Sequence, residues 1–205
     1  ICADRDDGPI NNLFGGAGDF YLLSNSAKDE WGYEVGVAAG SGHSSLAYAT
    51  GRAMMLDFVQ KTVTRYNNIL GNKFLWYSVG FTGQEEAGYN FLNQRFSSSG
   101  GREPAHPALY DYSTHAVTGF RNWLTTKYTT IEALRTAWGS SDASFSVIEP
   151  PKTNLPFGTA THFDIAAIFT TAKGKDWWAY HYSLIKDFAI SARALSSGMG
   201  VKFYA

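Results

Sequence analysis

Apolar residues between Thr50 and Leu70 recur at Met55, Phe58, Val59, Thr62, Tyr66 and Ile69, the three-and-four spacing of a helix with one buried face. Gly71-Asn72 follows as a C-terminal stop. The run Lys73 to Phe81 is short, apolar and rich in β-formers, the pattern of a strand buried on both faces. It empties into the polar stretch Thr82 to Asn90, and a Gly/Pro-bearing loop is predicted from Ser97 to Pro107. Ser113 is placed to cap a helix with Val117, Phe120, Leu124 and Tyr128 inward. Thr130 caps a second helix carrying Ile131, Leu134 and Trp138, and Gly139 stops it. After a loop with Pro150, Pro151 and Pro156, a long helix from about Asp176 to Ser197 aligns Trp177, His181, Leu184, Phe188, Ala192 and Leu195. Gly198 and Gly200 then lead to a terminal strand, Val201 to Ala205. Ile1-Cys2-Ala3 reads as a strand end, and residues 8 to about 45 form a long Gly-, Asn- and Ser-rich loop of the kind that is usually functional. Strand, helix, strand, helices, strand is α/β order, which implies parallel strands with right-handed crossovers. Both ends read as cut from something longer.

Composition narrows the classes of function. With 17 basic and 18 acidic residues the chain has a net charge of −1, so nothing draws it to nucleic acid or an anionic membrane. A single cysteine, Cys2, excludes an intrachain disulfide and a multi-thiolate metal site. No apolar run reaches the length of a membrane span. Aromatic residues make up 16% of the chain, enough to build large cores and still leave rings that stack on the C–H faces of sugars.

The wording of one region goes further. Tyr112-Ser113, Phe120-Arg121-Asn122-Trp123-Leu124, Lys127-Tyr128, and Thr130-Ile131-Glu132-Ala133-Leu134 running to Ala137-Trp138-Gly139 stand in that order. This resembles the segment after the fourth barrel strand of family 42 glycoside hydrolases, β-galactosidase-like retaining enzymes. The resemblance covers roughly residues 73 to 205 and is strongest at 110–139. It implies that the chain is part of a (β/α)8 barrel, about three consecutive strands, the third to the fifth, with their helices, in one partial catalytic-type domain spanning 1–205.

In such a barrel the reactive groups sit where strands end at the C-terminal face. Glu85 and Glu86 follow the 73–81 strand and so fall where chemistry is expected. Retaining glycosidases use two carboxyl groups about 5 Å apart, one an acid/base and the other a nucleophile. The resemblance aligns Glu86, in Glu85-Glu86-Ala87-Gly88, with the acid/base, and puts Glu85 where the family carries Asn. A carboxylate there accepts but does not donate a hydrogen bond, and its charge raises the pKa of its neighbour. The other alignment places Gln84 on the Asn and Glu85 on the acid. The nucleophile, at the end of the seventh strand, is expected outside this chain, and neither Asp164 nor Glu149 follows a strand-like run that would make it a substitute.

Further substrate contacts are expected from Tyr89, just past the acid, from Asp4 and Arg5 after the first strand, from His43 as a cleft-lining residue, and from Trp31 as a sugar platform, with Trp76 a further ring of that kind. Gly40 to Ser45 lacks the centred serine of a nucleophile elbow and the Gly-Lys-Ser/Thr of a phosphate loop. His106, His115, His162 and His181 are scattered without metal-ligand spacing, and His181 reads as a core residue. No cofactor and no metal is called for. The expected partners are a carbohydrate substrate and the remainder of the barrel or a partner chain, with a homo-oligomer open, and neither nucleic acid nor a spanned membrane. Relatives that degrade polysaccharides are often secreted, which tilts location toward secreted or periplasmic, though no export signal is visible. Two other readings stand beside the hydrolase: a non-catalytic carbohydrate-binding or structural member of the fold, and an α/β domain whose open strand edges are covered by a partner chain.

Overall fold

The computed structural model describes residues 27–33, 45–78, 92–93 and 106–204. In chain order these form α1 (Ala49–Leu70), β1 (Trp76–Ser78), β2 (Leu92–Asn93), β3 (His106–Pro107), α2 (Thr114–Tyr128), α3 (Ile131–Trp138), α4 (His162–Ile168), α5 (Ala172–Ala194) and β4 (Lys202–Tyr204). β1 and β4 pair in parallel, Trp76 opposite Lys202 and Ser78 opposite Tyr204. β2 and β3 form a separate antiparallel pair. The Ile1–Ala3 strand lies outside the described residues, so of the three expected parallel strands two are seen as neighbours.

Two hydrophobic cores organise the molecule. The lower one joins Val59 and Val63 of α1, Tyr77 of β1, Phe188 and Ala192 of α5, and Val201 ahead of β4. The upper one joins Ala116, Phe120 and Leu124 of α2, Leu134 of α3, Ile148, and Trp177 and Tyr180 of α5. Helix α5 serves both. Its 23 residues make a rod about 34 Å long, more than the parallel strands need. Its C-terminal half lies on the ladder, where the Tyr77 hydroxyl donates to the Ala192 carbonyl at 2.6 Å. Its N-terminal half packs away from the ladder, through Trp177 and Tyr180. There it carries α2 and α3, which with it form an excursion from the ladder. The crossover between the parallel strands is α5 itself.

Local signals explain the elements. Ser113 Oγ accepts from Ala116 N and Thr130 Oγ1 from Ala133 N, so both predicted caps are formed. Gly139 closes α3 in the left-handed region at φ 65°. The first turn of α5 also needs a glycine, where it passes the end of α4: a Cβ on Gly174 would lie 2.0 Å from the Ile168 carbonyl oxygen.

Several expectations are corrected. A 3-10 turn occupies Gly71–Lys73, so the described strand begins only at Trp76. It is not covered on both faces among the described residues: Tyr77 is buried, while Leu75 and Trp76 are 64% and 58% exposed. On α1 the inward positions are Val59 and Val63, with Tyr66 and Ile69 exposed, because the helix rolls its stripe toward α5. The 97–107 segment ends in β3 rather than loop. Helix α5 begins at Ala172, capped by Thr171, ahead of the expected Asp176. Helix α4, within the expected loop, is held by a capping box in which Thr161 and Asp164 exchange hydrogen bonds. His181 is buried, as read, with its ring 4.1 Å from that of Trp177.

Candidate active site

Glu86, Glu85, Gln84, Tyr89, Asp4, Arg5 and His43 lie outside the described residues. Trp31 is the one expected site residue within them. It sits in a short segment, 28–33, that docks on residues 109–112 ahead of α2.

Backbone pairing fixes that segment. Glu30 N donates to Leu109 O at 3.1 Å and Tyr112 N to Lys28 O at 2.8 Å, with an isolated bridge between Asp29 and Tyr110. Asp29 folds the tip: its Oδ1 accepts from Trp31 N at 3.0 Å and Tyr33 N at 2.9 Å, the turn chemistry of a short acidic side chain, with Gly32 at φ 88°. The Trp31 indole Nε1 donates to Leu155 O at 3.0 Å, and its ring meets Phe157 edge-on at 5.4 Å. Tyr33 meets the same Phe157 ring at 5.0 Å, giving an aromatic group of three.

Two buried carboxyl groups lie beneath this layer. Asp111 Oδ1 accepts from Lys28 N at 3.1 Å and Ser113 N at 2.8 Å, and Ser113 Oγ donates to Ser45 Oγ at 3.0 Å, tying the start of α2 to the approach to α1. Burial raises the Asp111 pKa, with hydrogen bonds from Ser45, Ser113 and Lys28 pulling against it. Glu30 is 8% exposed. Its Oε2 accepts from Thr153 N at 2.7 Å and Thr153 Oγ1 at 2.8 Å. Its Oε1 is buried without a hydrogen bond, although the Leu109 amide lies near enough to favour the charged form. Burial nonetheless raises the Glu30 pKa, helped by the charge of Asp29. Burial and the charges of Glu30 and Asp29 likewise raise the pKa of Tyr112, whose hydroxyl donates to Pro151 O.

Glu30, Asp111 and Thr153 were not singled out from the sequence. The available signal was Asp29-Glu30-Trp31-Gly32, two acids then an aromatic and a glycine, inside a loop otherwise poor in charge. Trp76, the other ring read as a platform, projects from β1 and is 58% exposed. No group of three or more metal-ligating side chains occurs among the described residues, and no described helix is long and apolar enough to cross a membrane.

The excursion that frames this layer is also where known proteins align. Residues 101–201 match the model of glycoside hydrolase family 42, described as beta-galactosidase. A thermophilic beta-amylase of Thermoanaerobacterium thermosulfurigenes is 34% identical over 90 residues, 44% of this chain and 15% of that protein. The match thus spans about a seventh of the length of that curated relative. Among solved structures, the catalytic domain of beta-amylase from Paenibacillus polymyxa superposes on 95% of this chain, and 44% of its own, with TM-score 0.62 at 18% identity. Beta-galactosidase from the psychrophilic Marinomonas ef1 superposes on 88% of this chain and 23% of its own, with TM-score 0.58 at 20% identity. At such identities these likenesses speak to the fold alone, which is that of part of a (β/α)8 barrel. The resemblance carried by Tyr112 to Gly139 thus holds in the family model that matches it.

Proposed function

We propose that this chain is part of a glycoside hydrolase that cleaves a β-linked glycoside, a β-galactoside in the first instance, with retention of configuration. The family 42 match over residues 101–201 is the observation that carries the reading. Glu86 protonates the leaving oxygen and then activates water. Glu85 lies beside it, keeping the acid protonated at higher pH, and the nucleophile is a carboxylate elsewhere in the barrel. Gln84, Tyr89, Asp4, Arg5 and His43 supply hydrogen bonds and packing to the sugar, and Trp31 supplies a ring for its C–H face. The partners are a carbohydrate and the rest of the barrel.

A second reading rests on the beta-amylase relatives: the same barrel face cleaves the bond that a beta-amylase cleaves. One experiment decides between them. The full-length protein is assayed on nitrophenyl β-galactoside and nitrophenyl maltoside, and proton NMR follows the anomer first released. β-Galactosidase activity with retention, reduced about a thousandfold in kcat by Glu86→Gln, is the expected result. Turnover of the maltoside alone favours the second reading. Binding without turnover of either points to a non-catalytic member of the fold, and full activity in Glu86→Gln removes Glu86 from the mechanism.

A further inference from the structure

An open cleft of about 700 Å³ lies between the end of α3 and the start of α5, with Trp138, Asp142, Val147 and Lys173 among its lining residues. That is the size of a small-molecule site. Several of its polar groups are not used by the fold. Arg135 of α3 holds the loop that follows the helix: its Nε donates to Asp142 O at 2.6 Å and its Nη2 to Ala143 O at 3.3 Å. Those carbonyls are engaged, whereas the amides of Ser141, Asp142 and Ala143, which also line the cleft, have no acceptor among the described residues. Asp142 Oδ2 accepts from Ser140 Oγ at 2.7 Å, and Oδ1 accepts no hydrogen bond from the described residues. Lys173, in the first turn of α5, holds its ammonium 5.7 Å from the centre of the Trp138 ring, and among the described residues it makes neither a hydrogen bond nor an ion pair. Burial lowers its pKa, against the pull of Asp142 and Glu149.

These groups discriminate between ligands. Lys173 and Asp142 cancel in charge, so the cleft as a whole favours neither an anion nor a cation. A hydroxyl both accepts and donates. Its oxygen answers the ammonium and the loop amides, and its proton answers the carboxylate. The Trp138 ring and Val147, which is 54% exposed, add apolar surface for C–H groups. We propose that the cleft is a second saccharide-binding site, in which Lys173 and Asp142 hydrogen-bond the hydroxyls of a neutral sugar. No bond is made or broken there. It shares no residue with those assigned to hydrolysis above, and the inference does not depend on Glu86.

The test needs a reporter inside the cleft, and the Trp138 indole N–H is one. The 15N-labelled full-length protein is titrated with galactose, with maltose and with inorganic phosphate, the indole resonance being assigned through Trp138→Phe. A saturable shift with at least one of the sugars is expected, weakened about tenfold or more by Lys173→Met, the loss of a hydrogen bond to a charged donor. In the same variant kcat and KM on a nitrophenyl glycoside stay within about twofold of wild type. Ala143→Trp, on an exposed stretch of the loop, fills the cleft and carries the test alone should Lys173→Met fail to fold. No shift with either sugar overturns the inference, as does a shift that survives both variants. A response to phosphate alone makes the cleft an anion pocket and overturns the saccharide assignment. A rise in KM that matches the loss of binding makes the cleft part of the active site and overturns it equally. Sugar binding at Trp138 in a protein that hydrolyses neither probe removes the hydrolase reading and leaves this inference standing.

Discussion

His181 shows how much one residue decides in this molecule. It lies on the inner face of α5 against Trp177, and burial lowers its pKa to about 3. The folded chain therefore keeps the imidazole neutral where the unfolded chain, at about 6.5, takes up a proton. Between those two values unfolding binds the extra proton, so stability is complete above pH 6.5 and declines as pH falls toward 3, by up to about 1.4 kcal/mol per pH unit. Urea titrations at pH 7 and pH 5 check this directly. The wild-type midpoint drops at pH 5, and His181→Phe removes most of that drop. A drop of the same size in the variant assigns it to other groups. Gly174 is a second such position, through absence of a side chain: Gly174→Ala pushes a Cβ into the Ile168 backbone, and a loss of about 2–3 kcal/mol in chemical denaturation is expected.

At the scale of elements, the excursion is held by a buried carboxylate that no single helix accounts for. Asp176, near the start of α5, accepts from Lys127 Nζ at 2.5 Å and Tyr128 Oη at 2.6 Å at the end of α2, and from Trp138 Nε1 at 2.9 Å at the end of α3. Three helices thus converge on one side chain. Asp176→Ala strands a phenol and an indole N–H beside an apolar core. It should cost about 3 kcal/mol in denaturant titration, and Asp176→Asn less, since an amide oxygen still accepts. Equal, small losses in both variants contradict the convergence.

These elements also separate what the sequence discloses from what it hides. Caps at Ser113, Thr130 and Gly139 are local, chain-adjacent chemistry, and they are read correctly. The face of α1 is not, because which side of an apolar-rich helix turns inward depends on α5, more than a hundred residues away. Helix α4 is concealed by the prolines before it, although the Thr161–Asp164 capping box was there to be seen. The start of α5 is blurred by Lys173-Gly174-Lys175, where the apolar period lapses. Trp31 is picked out by its residue type, while the contacts with Leu155 and Phe157 that seat it are not. The environment of Glu30 is not, since it depends on Thr153 and Leu109, far away along the chain.

For the whole molecule, a helix shared by both cores predicts that they unfold as one cooperative body. Phe188 belongs to the core beneath the ladder, whereas Trp123, Trp138 and Trp177 surround the upper one. Phe188→Ala removes about 3–5 kcal/mol from the lower core. Tryptophan fluorescence from the upper core should follow it to the same lowered midpoint as far-UV circular dichroism. A fluorescence transition that stays at the wild-type midpoint shows the excursion to be an independent unit.

The pairing of Trp76 with Lys202 has a consequence in time. On the ribosome β1 emerges long before its partner, and everything between must be made before the two can meet. The upper core is built from contacts far shorter in sequence, so its aromatic packing can form while β4 is still inside the exit tunnel. Closing the ladder then requires β4 only to find an edge already flanked by α1 and α5. The upper core would be assembled before the ladder is complete, and the vulnerable interval in the life of this chain is the one in which β1 waits.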